Sequence, residues 1–319
     1  MPILAISPGD RIVRLSAVPF PAVIVPVPAA AHAPYAGRRV SLTTCHGKER
    51  VLARPFRCAL GLTVVVARGF NTDRLGTFSG ERPRPADAPE TCRRKAEAGM
   101  AHTGLDLGLA SEGCVGPHPA LPWLAVNTEW LTFIDRRAGL VITESLVAPR
   151  TNFDQRVVAP ADGIEAWLAQ VGFPSHGLIA RPQGVDPTAA AAGGLLFKGI
   201  GDPAALAWAL HRCAAASREG LVLLETDMRA HRNPTRLRAI RTLAFRLVRR
   251  ITSRCPACGS PGWGLIESLP GLPCAWCGGP TARIRAEVLG CAVCDHRQER
   301  PSADGRLTAD PGDCPRCNP

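Results

Sequence analysis

The chain has 319 residues, of which 46% are hydrophobic and 20% charged. This length suits two or three domains, and the composition excludes collagen-like and intrinsically disordered classes. Lys and Arg outnumber Asp and Glu by 38 to 27, a formal charge of +11. Such basicity fits an anionic partner, a nucleotide or a nucleic acid, without choosing between them. No apolar run reaches the roughly 18 residues of a membrane helix, so no membrane association is expected.

Residues 1–37 are rich in Pro and Ala and read as an irregular extension without chemistry. From residue 38 to about 252 the pattern alternates between strands and helices. Arg39–Thr44 reads as a strand, Gly47 to Cys58 as a helix, and Leu62–Ala67 as a buried strand. A Gly-, Asp- and Thr-rich loop follows from Arg68 to Pro85, with Asn71–Glu81 long enough to cover a site. Asp87 is placed to cap a helix through His102, with Pro89 in its first turn and Gly104 past its end. Leu105–Ser111 is the next strand, and Glu129–Asp135 with Leu140–Val147 forms a hairpin. A helix near Gly163–Val171, a strand at Gly177–Arg181, a helix at Pro203–Ser217 and a strand at Leu221–Glu225 complete the alternation. Pro234–Ile251 is the clearest helix, capped by Asn233 and apolar along Leu237, Ile240, Ala244, Leu247, Val248 and Ile251. The expected class is an α/β domain with a mixed sheet, followed over residues 253–319 by a small double zinc-ribbon module.

Thirteen cysteines are present, and eight fall in four Cys-x-x-Cys pairs at the C-terminal end: Cys255/Cys258, Cys274/Cys277, Cys291/Cys294 and Cys314/Cys317. Two intervening residues let both thiolates of a tight turn face one ion, and Zn²⁺ takes four such ligands as a tetrahedron. Sequential pairing encloses loops of 15 and 19 residues, inside the usual range; a crossed pairing is the alternative that spacing leaves open. Two structural zinc ions are therefore expected, with no open position for catalysis. His296 is surplus to a four-cysteine count. The odd cysteine total and the absence of a readable secretory signal point to a reducing cytoplasm.

Three constellations outside the tail carry polar chemistry. The first follows the first strand: Thr44, His46, Gly47 and Lys48 open a helix, where backbone N–H groups and a cation suit phosphate. It lacks the Walker A spacing, and a plain helix cap with a solvated Lys–Glu pair is its competitor. The second pairs Lys95 on a helix with Glu112 at a strand end, where α/β sheets place ligands. The third is Glu225-Thr226-Asp227-Met228-Arg229-Ala230-His231-Arg232-Asn233-Pro234-Thr235-Arg236. Its acids leave a strand and its His and Arg residues open a helix, an arrangement that suits a Mg²⁺-bearing phosphate. The expected roles are catalytic for Glu112, Glu225, Asp227 and His231, and phosphate-binding for Thr44, His46, Lys48, Lys95, Arg229 and Arg236.

Two resemblances rest on these motifs. The segments HGKE, FNTDRLGTFSGE, GLDLGLASEGCVGPHP, TNFDQRV, FKGI and ETDMRAHRNPTR, followed by the paired cysteines, resemble a bacterial family of unknown function that joins an α/β domain to a cysteine-rich tail. It spans nearly all of residues 38–319 and implies no activity. Residues 39–116 resemble the house-cleaning nucleoside-triphosphate pyrophosphatases of the inosine-triphosphatase type, with His46 where that family has Asn and Lys48 one residue early. This second resemblance implies that Thr44, His46 and Lys48 meet phosphates, that Lys95 assists and that Glu112 holds Mg²⁺.

Two functions follow as expectations. One is a Mg²⁺-dependent phosphohydrolase of a nucleotide or related phosphate. The alternative is a non-catalytic nucleic-acid-binding or protein-adaptor protein, using the arginine-rich helix from Arg236 to Arg250 beside the tail, with Trp263 and Trp276 as its few stacking surfaces.

Overall fold

A computed structural model describes residues 34–69, 86–118 and 121–319, and three sheets organise these described residues. The first has five strands: β1 (Arg39–Thr43), β2 (Thr63–Val66), β3 (Leu107–His118), β4 (Leu121–Asp135) and β5 (Leu140–Ala148), in the order β2-β1-β3-β4-β5. β1 runs parallel to both β2 and β3, whereas β3, β4 and β5 form an antiparallel meander. The sheet is thus mixed, as the sequence pattern predicts.

Helices cover both of its faces. α1 (Glu49–Leu60) and α6 (Pro234–Thr252) lie on one face, where Leu52, Phe56, Ile240, Leu243 and Leu247 pack with Leu42, Leu109, Leu131 and Phe133. α2 (Ala88–Thr103) covers the other, where Cys92, Ala96 and Met100 meet Ala110 and Ile134. The predicted caps form. The Asp87 carboxylate accepts from the Glu90 N–H at 2.8 Å, and the Asn233 side chain accepts from the Arg236 N–H at 2.9 Å. Gly104, at φ 68°, ends α2 in the left-handed conformation that glycine adopts without strain.

A second, wholly antiparallel sheet carries its own core. It contains β6 (Gln155–Val158), β7 (Leu178–Pro182), β8 (Phe197–Ile200) and β9 (Val222–Thr226) in the order β6-β9-β7-β8. α3 (Glu165–Val171), α4 (Pro187–Ala192) and α5 (Pro203–Ala216) accompany it, and Trp167, Leu178, Leu210, Val222 and Leu224 fill its interior. β6, α4 and β8 escape the sequence pattern. β6 and β8 are only four residues long and mostly unburied, so no apolar alternation marks them. α4 is an alanine run without an apolar stripe.

The tail forms a third sheet of β10 (Gly264–Pro270), β11 (Ile284–Gly290) and β12 (Arg297–Pro301), all antiparallel. Arg250 of α6 ties it to the first sheet: its guanidinium donates to Glu144 Oε1 at 2.8 Å and to the Gly262 carbonyl at 3.3 Å. Of the extension read over residues 1–37, residues 1–33 lie outside the described residues, as does the loop at Asn71–Glu81 expected to cover a site; residues 34–37 form a turn that buries Tyr35 in the first core. Among the described residues no helix is long and apolar enough to cross a membrane.

Candidate metal centres and a buried charge cluster

The eight tail thiols gather into two groups of four: Cys255, Cys258, Cys291 and Cys294, and Cys274, Cys277, Cys314 and Cys317. Within each group all sulfurs lie inside 4.8 Å of one another. The closest approaches run from 3.6 Å, for Cys258–Cys291 and Cys277–Cys314, to 3.9 Å for Cys274–Cys317. A regular tetrahedron with metal–sulfur bonds of about 2.3 Å has sulfurs about 3.8 Å apart, so the spacing fits a four-thiolate ion.

The pairing is crossed, which decides between the two arrangements that the spacing left open. The reason is the strand between the first two knuckles. β10 spans seven residues, and at about 3.3 Å per residue it sets Cys258 and Cys274 roughly 20 Å apart. β11 then returns the chain, so that Gly290, opposite Gly264, delivers Cys291 beside the first knuckle. β12 runs back again and delivers Cys314 to the second. Gly259 (φ 72°) and Gly278 (φ 66°) turn the first two knuckles, where their N–H groups donate to the Cys255 and Cys274 carbonyls. His296 stacks on Trp263 at 5.2 Å.

The α/β region buries an unusual density of charge around the carboxyl end of β1 and the middle of β3, which runs on to His118 and so sets Glu112 inside the strand and not at its expected end. Strand alternation divides it between the two faces of the sheet. On the α2 face Lys95 Nζ donates to Glu112 Oε2 at 2.5 Å, with both side chains more than nine-tenths buried. On the α1–α6 face Lys48 Nζ crosses to β3 and donates to the Ser111 carbonyl at 2.8 Å and to its Oγ at 3.1 Å. One strand position further, Gly113 faces Glu129 across the β3–β4 pair. Glu129 accepts from Arg236 Nε at 2.5 Å and from Asn127 Nδ2 at 2.9 Å, and Arg236 Nη1 donates to the Met228 carbonyl at 2.6 Å. Asp227, wholly buried, accepts from the Arg229 backbone N–H at 3.0 Å and from Nη2 of its guanidinium at 2.6 Å.

His46 and His231 stack at 5.2 Å with their planes 21° apart. Burial, then the Lys48 ammonium, pushes His46 down to about 3. Burial also lowers His231, with Arg229 adding to the effect. Both imidazoles are therefore neutral at pH 7. Burial, then Arg236, lowers Lys48 to about 8.

The structure thus brings His46, Lys48, Asp227, Arg229, His231 and Arg236 to one side of the first sheet and sets Lys95 and Glu112 on the other. Thr44 serves the local turn, its Oγ1 accepting from the His46 N–H at 3.1 Å. Glu225 lies on the face of the second sheet opposite its core and accepts from Arg181 at 3.3 Å, a different partner from that of Asp227. Ser111, Asn127 and Glu129 belong to the cluster although the sequence reading gave them no role. The signal for Glu129 was a carboxylate inside an apolar strand, which demands a buried cation.

A family model described as "Domain of unknown function (DUF6671)" matches residues 95–319, and the chain belongs to that family. Glu112, Glu129, the residues from Asp227 to Arg236 and all eight tail cysteines fall inside the match; His46 and Lys48 precede it. No curated protein and no solved structure matches the chain. The resemblance to inosine-triphosphate pyrophosphatases gains no support from these comparisons. The geometry also departs from what it implied, since Glu112 is bound to Lys95 on the face away from Lys48.

Proposed function

We propose that this member of the DUF6671 family binds a nucleotide or related phosphorylated compound beside Lys48 and hydrolyses it, while the tail holds two structural zinc ions. The observation that carries the reading is Lys48. An ammonium has three donors, and Ser111 takes two of them with neutral acceptors. No carboxylate lies within ion-pair distance of Lys48 among the described residues. A buried cation placed this way at the start of α1 favours an incoming anion, to which the helix N-terminus adds its own dipole. The stacked neutral imidazoles supply a base: water attacks phosphorus, an imidazole nitrogen of His46 or His231 takes the proton, and Lys48 balances charge on the departing oxygen.

The acids do not support a resident Mg²⁺. Glu112, Glu129 and Asp227 each already face a cation at 2.5–2.6 Å, so none presents an uncommitted carboxylate. No step is therefore routed through a protein-held Mg²⁺. The tail assignment rests on its donors: four thiolates at tetrahedral spacing select zinc over harder ions and leave no position for water.

Phosphate release by the zinc-loaded chain from a panel of nucleoside mono-, di- and triphosphates tests the reading. Turnover that falls at least about a hundredfold in Lys48→Met and in His46→Gln is expected. Absence of both binding and turnover across the panel, or unchanged turnover in Lys48→Met, overturns it.

A further inference from the structure

Helix α2 shows how this chain treats an ordinary solvated helix face. Its outward Arg93 pairs with Glu90 and Glu97, and Arg94 pairs with Glu90. Interleaved charges at three- and four-residue spacing are the usual pattern. α1 and α6 break it. On α6, Arg238, Arg241, Arg246 and Arg249 are exposed, and the helix contains no acidic residue. On α1, Arg50, Arg54 and Arg57 are exposed at spacings of four and three, and the helix's one acid, Glu49, sits in the first turn. None of these seven arginines has a carboxylate partner among the described residues.

The two helices lie side by side on the same face of the first sheet, with their apolar sides in a common core. Their arginines therefore share one outward surface. Along α6 the stripe from Arg238 to Arg249 covers about 16 Å, and a neighbouring helix axis lies about 8–10 Å away. In the middle of it Phe245 is 56% exposed, one helical turn from both Arg241 and Arg249. Arg236 and Arg250 of the same helix are turned inward to Glu129 and Glu144 and do not contribute.

We infer that the paired outer faces of α1 and α6 form a docking surface for a single-stranded nucleic acid, with the arginines on its phosphates and Phe245 against a base. An uncompensated guanidinium row matches a repeating anion, and phosphate is the anion that guanidinium binds in a bidentate fashion. A lone exposed aromatic among cations suits a stacked base, because stacking requires an unpaired strand. This surface is separate from the buried Lys48 site, and either can fail without the other.

Fluorescence anisotropy of the zinc-loaded full chain with a labelled single strand of about twenty nucleotides, with its duplex, and sedimentation with phosphatidylserine vesicles test the inference. Affinity for the single strand should fall steeply with salt. In the triple variant Arg241→Gln, Arg246→Gln, Arg249→Gln it should fall at least tenfold at low salt, and the log–log salt slope should shrink by about 2. Phe245→Ala should weaken the single strand about tenfold and leave the duplex nearly unchanged. All four side chains are exposed and unpartnered, so the thermal midpoint should hold in both variants. Salt-independent binding, an unchanged triple variant, or capture by vesicles with neither nucleic acid bound overturns it.

Discussion

Glu129 and Arg236 form an ion pair, wholly buried on the acid side and 3% exposed on the arginine side, that fastens the middle of β4 to the first turn of α6. The acid's two oxygens take Arg236 Nε and Nη2, and the remaining guanidinium nitrogen goes to the Met228 carbonyl. Removing one partner strands the other in a dry interior. Glu129→Gln or Arg236→Met should therefore cost about 3–5 kcal/mol in urea unfolding. A double replacement by apolar residues of similar volume should recover most of that loss. A loss under about 1 kcal/mol in both single variants would show that water reaches the pair.

Gly113 is the space in which that pair sits. A Cβ there would stand 2.4 Å from Arg236 Nη2 and 2.6 Å from Glu129 Oε2. Gly113→Ala should displace the guanidinium and lower stability by about 1–3 kcal/mol. The same substitution at Gly116, where a Cβ meets nothing within 4 Å, is the control and should be near neutral. Equal effects at the two positions would mean that backbone entropy, not the clash, sets the cost.

The crossed metal pairing makes a numerical prediction. Cys255→Ser with Cys291→Ser removes two ligands from one site and should leave one zinc per chain by elemental analysis. Cys255→Ser with Cys274→Ser removes one ligand from each site and should deplete both. Sequential pairing would reverse the two results. Cobalt replacement should give the intense charge-transfer bands of a tetrathiolate in the wild type.

Acid stability follows from His46. Its folded value is about 3 against 6.5 for the free side chain, so between those values the unfolded chain binds more protons. The contribution of His46 is then fully present above pH 6.5 and is lost as pH falls toward 3. In His46→Gln the urea midpoint should drop less between pH 7 and pH 5 than in the wild type. Lys48 acts in the alkaline range with the same sign: lowered from 10.5 to about 8, it makes stability rise with pH between those values, and Lys48→Met should flatten that rise. Parallel profiles for variant and wild type would remove either group from the account.

What the sequence disclosed depended on how local the determining interaction was. The Asp87 and Asn233 caps, the apolar stripe of α6 and the glycine ending α2 act within a few residues, and each was legible. The knuckles were legible for the same reason. Which knuckle joins which was not, because strand direction in β10 to β12 decides it and loop length does not report direction. Within the charge cluster, Lys48 and Asp227 stood out beside glycine, histidine and arginine neighbours. Ser111 and Glu129 did not, since each gains meaning from a partner 63 or 107 positions away. Glu112 was read as a strand-end acid, but β3 runs on to His118 and sets it in mid-strand, on a face fixed by alternation against β4 that a single strand does not reveal.

The order of the knuckles also bears on how the tail is made. The first thiol pair emerges at Cys258, yet its partners arrive only with Cys291 and Cys294, after the second pair has already been synthesised. During translation two half-sites coexist, each able to capture an ion with the wrong mate. The chain resolves this by geometry: once β10 and β11 pair, the first and second knuckles are held at opposite ends of a ribbon and cannot share an ion. On the proposed reading of the tail, hairpin closure keeps each half-site from the wrong mate, and variants that slow β10–β11 pairing should lower the yield of correctly metallated protein.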